Sequence, residues 1–140
     1  MQGANPYRKG SALVEFAVLV PVFLVVVLGI IEYGQFLYTQ QAVTLAAREA
    51  CRIIVLPGTT KEQAIGRAYN VLNEAGINSF SITFDPDPPT SAANGDPITV
   101  TVAVDFDQIS WFGAPMYLTG AEVRATAVMR REWIDGIDGS

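Results

Sequence analysis

At 140 residues, half of them apolar, and with a formal net charge of −5, the chain has room for one small domain plus an apolar appendage, because a lone core becomes marginal below about 70 residues. The absence of histidine removes histidine triads, common zinc sites and imidazole acid–base catalysis. Of the 14 acids only Glu15 precedes Glu32, and of the nine bases only Arg8 and Lys9 do, so the remainder is acidic and lacks the phosphate-neutralising patch of a nucleic-acid binder.

From Ala12 to Ile31 the sequence is apolar apart from Glu15. Twenty residues at about 1.5 Å each match a hydrocarbon core of about 30 Å, so this stretch reads as a membrane-crossing helix. Arg8 and Lys9 put its N-terminal end in the cytoplasm by the positive-inside rule and the rest outside. A cleaved secretory signal is the competing reading, but the uncharged run from Phe16 to Ile31 exceeds a typical signal core and no A-x-A site follows it. A carboxylate at the depth of Glu15 costs roughly 3 kcal/mol on insertion scales and calls for a partner. A cut after Gly10 would supply one, since Ser11 would become a free amino terminus with Glu15 as the fifth residue behind it.

No terminator interrupts Ala12 to Leu56, since Pro21, Gly29 and Gly34 are tolerated in supported membrane helices, and one continuous rod is predicted. Beyond the membrane its apolar stripe runs through Phe36, Val43, Ala47, Ala50 and Ile54. The small row Ala42, Ala46 and Ala50 permits close packing, against either a neighbouring helix or the protein's own sheet, with the sheet preferred. Cys51, alone, reads as a small core residue rather than half of a disulfide. Pro57-Gly58 ends the rod. Thr59-Thr60 with Glu62 and Gln63 offers two overlapping capping boxes for a second helix, whose buried face is Ile65, Ala68, Tyr69, Leu72 and Ala75 and whose stop is Gly76.

Phe80, Ile82 and Phe84 alternate with Ser79, Ser81 and Thr83 as a first strand. Asp85 to Pro97, with four prolines and an Asn94-Gly95 turn signal, reads as a long exposed loop. Ile98, Val100, Val102, Val104 and Phe106 form the clearest strand. An irregular stretch from Asp107 to Gly120 follows, then a last strand from about Ala121 to Arg131 that places Val123, Ala125, Ala127 and Met129 on one face. The fold expected is α+β: a long N-terminal transmembrane helix extending outward, a second helix, and a three-stranded antiparallel sheet. The segments are 1–10, a cytoplasmic leader; 11–56, the transmembrane and extended helix; and 57–140, an extracytoplasmic domain.

Candidate chemistry is sparse. Asp85, Asp87 and Asp96 are oxygen donors, but their spacing fits no EF-hand, so neither a metal nor a cofactor is expected. Asp105 and Asp107 read as surface charges. Arg48, Glu49 and Arg52 lie within one and a half turns of the rod and are either a solvated, locally paired face or a contact with a neighbouring subunit. Trp111 and Phe112, in the run to Tyr117, read as a flap over the sheet or as interface anchors.

Arg8-Lys9-Gly10 followed by Glu15-Phe16 resembles the class III signal of type IV pilin-like proteins, with Ser11 where an aromatic residue or Met is usual. Gly10-Ser11-Ala12-Leu13-Val14-Glu15-Phe16-Ala17, Leu19-Val20-Pro21, Gly29-Ile30-Ile31-Glu32-Tyr33-Gly34 and Ala46-Ala47-Arg48-Glu49-Ala50-Cys51-Arg52 together resemble the TadE-like family of tight-adherence (Flp) pilus assembly systems. The resemblance implies a non-enzymatic pseudopilin processed between Gly10 and Ser11, with Glu15 and Phe16 serving assembly and Arg48, Glu49 and Arg52 as candidate subunit contacts. Its implied partners are a prepilin peptidase, the major Flp pilin, other minor pilins and an inner-membrane assembly platform, in a filament or pilus complex. An unprocessed bitopic protein whose outer domain binds a ligand or envelope partner is the alternative.

Overall fold

The computed structural model describes residues 6–110 and 115–132. Helix α1 runs from Pro6 to Ile54, 49 residues with Pro21 inside, a rod of about 73 Å at the usual rise. It begins earlier than the apolar run, because helical geometry continues back through Gly10. A tight last turn, with the Val55 N–H on the Cys51 carbonyl and the Leu56 N–H on the Ile53 carbonyl, brings it to Pro57-Gly58, where Gly58 takes the positive φ of 78°.

The two threonines that follow divide their work. Thr59 Oγ1 donates back to the Ile53 and Leu56 carbonyls, closing α1. Thr60 is the N-cap of helix α2, Lys61–Glu74, in a reciprocal capping box with Gln63, so of the two boxes legible in the sequence the second forms. At the other end the Ile77 N–H reaches the Leu72 carbonyl and the Gly76 N–H that of Asn73, with Gly76 at φ 79°. This is a Schellman closure, and buried Ile77 and Leu72 are its apolar contact. The buried face is Ala64, Ala68 and Leu72. Tyr69, expected there, is 47% exposed: the buried positions step by four, which leaves it on the flank, stacked obliquely on Phe80 with centroids 6.4 Å apart.

The sheet is an antiparallel meander, β1 (Ser81–Asp85), β2 (Pro97–Asp105) and β3 (Glu122–Arg130), in that spatial order. Register places Ile82 beside Val102, Val102 beside Ala125, and Val104 beside Val123. The alternating apolar side chains of all three strands therefore share one face. Ile98, Val100, Val102, Val104 and Phe106 on that face are buried. The opposite face is mostly polar, with a Thr101–Thr126 hydroxyl contact of 3.1 Å.

Both helices cover the apolar face. Ala42, Ala46, Ala47 and Ala50 of α1 are buried in the core together with Val43 and Ile54, so the small row lets the rod lie close on its own domain. Cys51 is fully buried, its Sγ 3.6 Å from the Ile98 carbonyl oxygen and 3.7 Å from that of Ala127. The loop between β1 and β2 is less exposed than its composition suggests. Pro89 and Ala92 are buried, because Arg131 Nη1 donates to the Thr90 and Ala92 carbonyls at 2.9 and 2.7 Å and draws the loop onto the end of β3.

Burial of Cys51 carries a direct test. Its thiol should stay unmodified by a maleimide in the folded protein and react fully once urea unfolds the domain; rapid modification of the folded protein would contradict its place in the core.

Candidate functional site

The described part of α1 divides into two halves. Leu13, Val14, Phe16, Val18, Leu19, Val22 and Phe23 are each at least 60% exposed, whereas from Glu32 onward one side of the helix is buried in the domain. An apolar surface of this extent has no counterpart on a soluble monomer. The helix is long and apolar enough to cross a membrane, and its most apolar stretch is not covered by the rest of the chain.

Glu15 stands on this exposed surface, where one carboxylate oxygen accepts a hydrogen bond from Ser11 Oγ at 3.2 Å, one turn back. Gly10 and Ser11 are exposed and helical, and Phe16 is 66% exposed. Arg48 and Arg52 are exposed one turn apart on the rod. Glu49 differs from them: its Oε2 accepts from both Nε and Nη2 of Arg67 on α2, each at 3.2 Å, so it clamps the two helices within the chain. Trp111 and Phe112 lie outside the described residues.

The junction of the two halves is built on one residue. Glu32 is only 2% exposed. Its Oε2 accepts the Met116 N–H at 3.0 Å, and its Oε1 accepts the Tyr117 and Leu118 N–H groups at 3.0 and 2.8 Å. A buried carboxylate costs several kcal/mol in lost hydration. Three charge-assisted hydrogen bonds from the backbone replace the water it gives up.

Neighbouring turns of α1 hold the same loop. Gln35 Nε2 donates to the Ile109 carbonyl, and Phe36 meets Phe106 edge to face at 5.6 Å. On the membrane side Tyr117 lays its ring over Gly29, where an added Cβ would come within 3.3 Å of it, and its hydroxyl donates to the Val25 carbonyl at 3.1 Å. Between helix and loop runs an apolar groove of about 440 Å³, lined by Val25, Val26, Gly29, Tyr33, Tyr117 and Leu118 with Glu32 at its head.

Four of the other acids are engaged within the chain. Asp87 pairs with Lys61 at 2.7 Å, Asp96 Oδ2 accepts the Ala93 N–H, Asp105 accepts from Gln108, and Asp107 Oδ1 accepts the Gly120 N–H at 2.9 Å. Among the described residues no cluster of His, Cys, Asp or Glu is grouped to hold a metal ion. The residue that sequence reasoning missed is Glu32, whose signal was its place in the Gly29-Ile30-Ile31-Glu32-Tyr33-Gly34 motif.

Fold and junction together fit a single-pass membrane protein of α+β fold whose long apolar helix is also a core element. The family model described as TadE-like protein matches residues 10–52. That segment, about a third of the chain, holds Gly10, Glu15, Glu32 and the Ala46–Arg52 run. No curated protein and no solved structure matches the chain.

The clamp predicts a graded response. Glu32→Ala should lower the urea midpoint of the domain, because it removes the acceptor of three N–H groups. Glu32→Gln should cost less, since it keeps one acceptor oxygen. Urea unfolding followed by circular dichroism measures both, and equal stability of the three proteins would contradict the clamp.

Proposed function

We propose that the chain is a non-enzymatic TadE-like pseudopilin, inserted in the cytoplasmic membrane with its C-terminal domain outside, trimmed after Gly10, and taking part in tight-adherence (Flp) pilus assembly. The observation that carries this reading is the family match over 10–52, which falls on a helix whose exposed apolar half bears a single acid, Glu15. In a bundle of such helices the amino terminus created at Ser11 meets the carboxylate of a neighbour's Glu15, and Phe16 packs beside it. The partners are those the resemblance implies: a prepilin peptidase, the major Flp pilin, minor pilins and an inner-membrane platform. No reaction is assigned to the protein itself.

Processing has a physical rationale at Gly10. The helix runs unbroken across it, and a peptidase must open that helix locally. Glycine weakens a helix by about 1 kcal/mol relative to alanine, which eases local opening at the cut site. Arg48 and Arg52, exposed and one turn apart, are the proposed subunit contacts on the outer rod, together with Glu49, which Arg67 also ties to α2. The unprocessed bitopic alternative draws on the Ser11–Glu15 hydrogen bond, which gives the carboxylate a local donor in the uncut chain.

Two substitutions separate these readings. Gly10→Trp should abolish the loss of residues 1–10, read by intact mass of protein from native membranes. Glu15→Leu should ease insertion by about 3 kcal/mol and leave cleavage intact, yet lower the protein recovered with sheared pili and crosslinked to pilins. Normal piliation with Glu15→Leu would sink the intersubunit role and favour the bitopic anchor.

A further inference from the structure

The turn Pro115–Leu118 sits in an unusual position for a loop. Its ring contact with Gly29 and its hydroxyl bond to the Val25 carbonyl lie on the membrane side of Glu32, within the last third of the apolar run. Seven residues of helix separate Val25 from Glu32, about 10 Å of rise, so the Tyr117 side chain descends along α1 below the level of the domain. Met116 is 61% exposed and Tyr117 53%, on the same side as the bare apolar surface of the helix.

A loop can enter a low-dielectric layer only if its backbone polar groups are satisfied by protein. This one meets that condition at its three amides and at two of its four carbonyls, and the Met116 and Tyr117 carbonyls, which accept no hydrogen bond from the described residues, are left to the water at hand on the headgroup side of the interface. The Met116, Tyr117 and Leu118 N–H groups are taken by Glu32, the Pro115 carbonyl accepts Thr119 Oγ1 at 2.8 Å, and the Leu118 carbonyl accepts the Ala121 N–H at 3.1 Å. Even the Tyr117 hydroxyl, which on a water-facing surface needs no protein acceptor, is bonded to the helix. Residues 115–120 contain no Lys or Arg, so nothing in the turn selects charged headgroups. Tyr beside an apolar side chain suits the boundary between acyl chains and headgroups.

We propose that Pro115–Leu118 is a lipid-contacting foot, seated in the outer-leaflet interface beside α1, with Glu32 as the acceptor that lets its amides leave water. The proposal rests on the reading of α1 as a membrane anchor. It gives the domain a second attachment, which fixes its rotation about the helix axis as well as its height above the bilayer.

Nitroxide labels on the full-length chain in phosphatidylcholine vesicles test it, with collision rates to oxygen and to a water-soluble nickel complex as readouts. Labels go on Met116→Cys, on Phe23→Cys in the middle of the apolar run, and on Val128→Cys on the outward face of β3; the parent chain, whose Cys51 is buried, is the blank. The expected result places Phe23→Cys in hydrocarbon and Val128→Cys in water. Met116→Cys should fall between them, with an oxygen-to-nickel ratio several-fold above that of Val128→Cys and unchanged when phosphatidylglycerol is added. If Met116→Cys follows Val128→Cys while Phe23→Cys stays in lipid, the foot is wrong and the anchor stands. If Phe23→Cys is itself in water, the anchor reading falls and takes the foot with it. Shielding of Met116→Cys from both reagents, with spin broadening relieved by dilution into unlabelled protein, would assign the groove to a second copy and overturn the proposal.

Discussion

A carboxylate that gives up nearly all its water must be answered by donors in fixed positions, and at Glu32 those donors are three consecutive amides from a turn more than eighty residues away. That requirement sets much of the architecture. The turn must reach the helix at one height, so the stretch after β2 cannot float over the sheet. Phe36 against Phe106 and Gln35 on the Ile109 carbonyl continue the same seam upward, while Gly29 and Val25 continue it downward through Tyr117. The seam marks the level at which the rod changes from bare to packed.

Two roles are thereby fused in one helix. The half before Glu32 keeps its apolar surface free for lipid or for other helices; the half after it contributes Val43, Ala46, Ala47, Ala50 and Cys51 to the domain core. Alanine at these places brings the rod close to the sheet, where Val100, Val102 and Val104 fill the space. A domain cut away at Gly34 would lose the Glu32 acceptor and the Gly29 surface together, so the anchor is part of the folding unit. In a filament, a subunit pulled by its helix would carry its domain rigidly with it.

The periodic parts of this fold were open to sequence reasoning because their signal is local. Steps of two along Ile98 to Phe106, the Thr60 and Gln63 capping pair and the Gly76 stop each declare an element within a few residues. Glu32 carries no such sign. After a long apolar run an acid reads as the point where a helix leaves the membrane, and its donors are backbone amides, which no side-chain pattern reveals. Glu49 is similar: beside Arg48 and Arg52 it looked like one of a charged trio, and only the packing of α2 against α1 separates it, through Arg67, from its neighbours. Tyr69 erred for a gentler reason, since a helix face one residue too wide includes its flank.

Amide hydrogen exchange of the full-length protein in lipid nanodiscs, resolved at single residues, addresses the clamp between anchor and domain most directly. The Met116, Tyr117 and Leu118 amides should exchange as slowly as those of Val100 and Val102 in β2, since they open only when the domain unfolds. Exchange at the rate of an exposed connection such as Asn78-Ser79, with β2 still protected, would contradict the account and leave the helix and its domain joined by the chain alone.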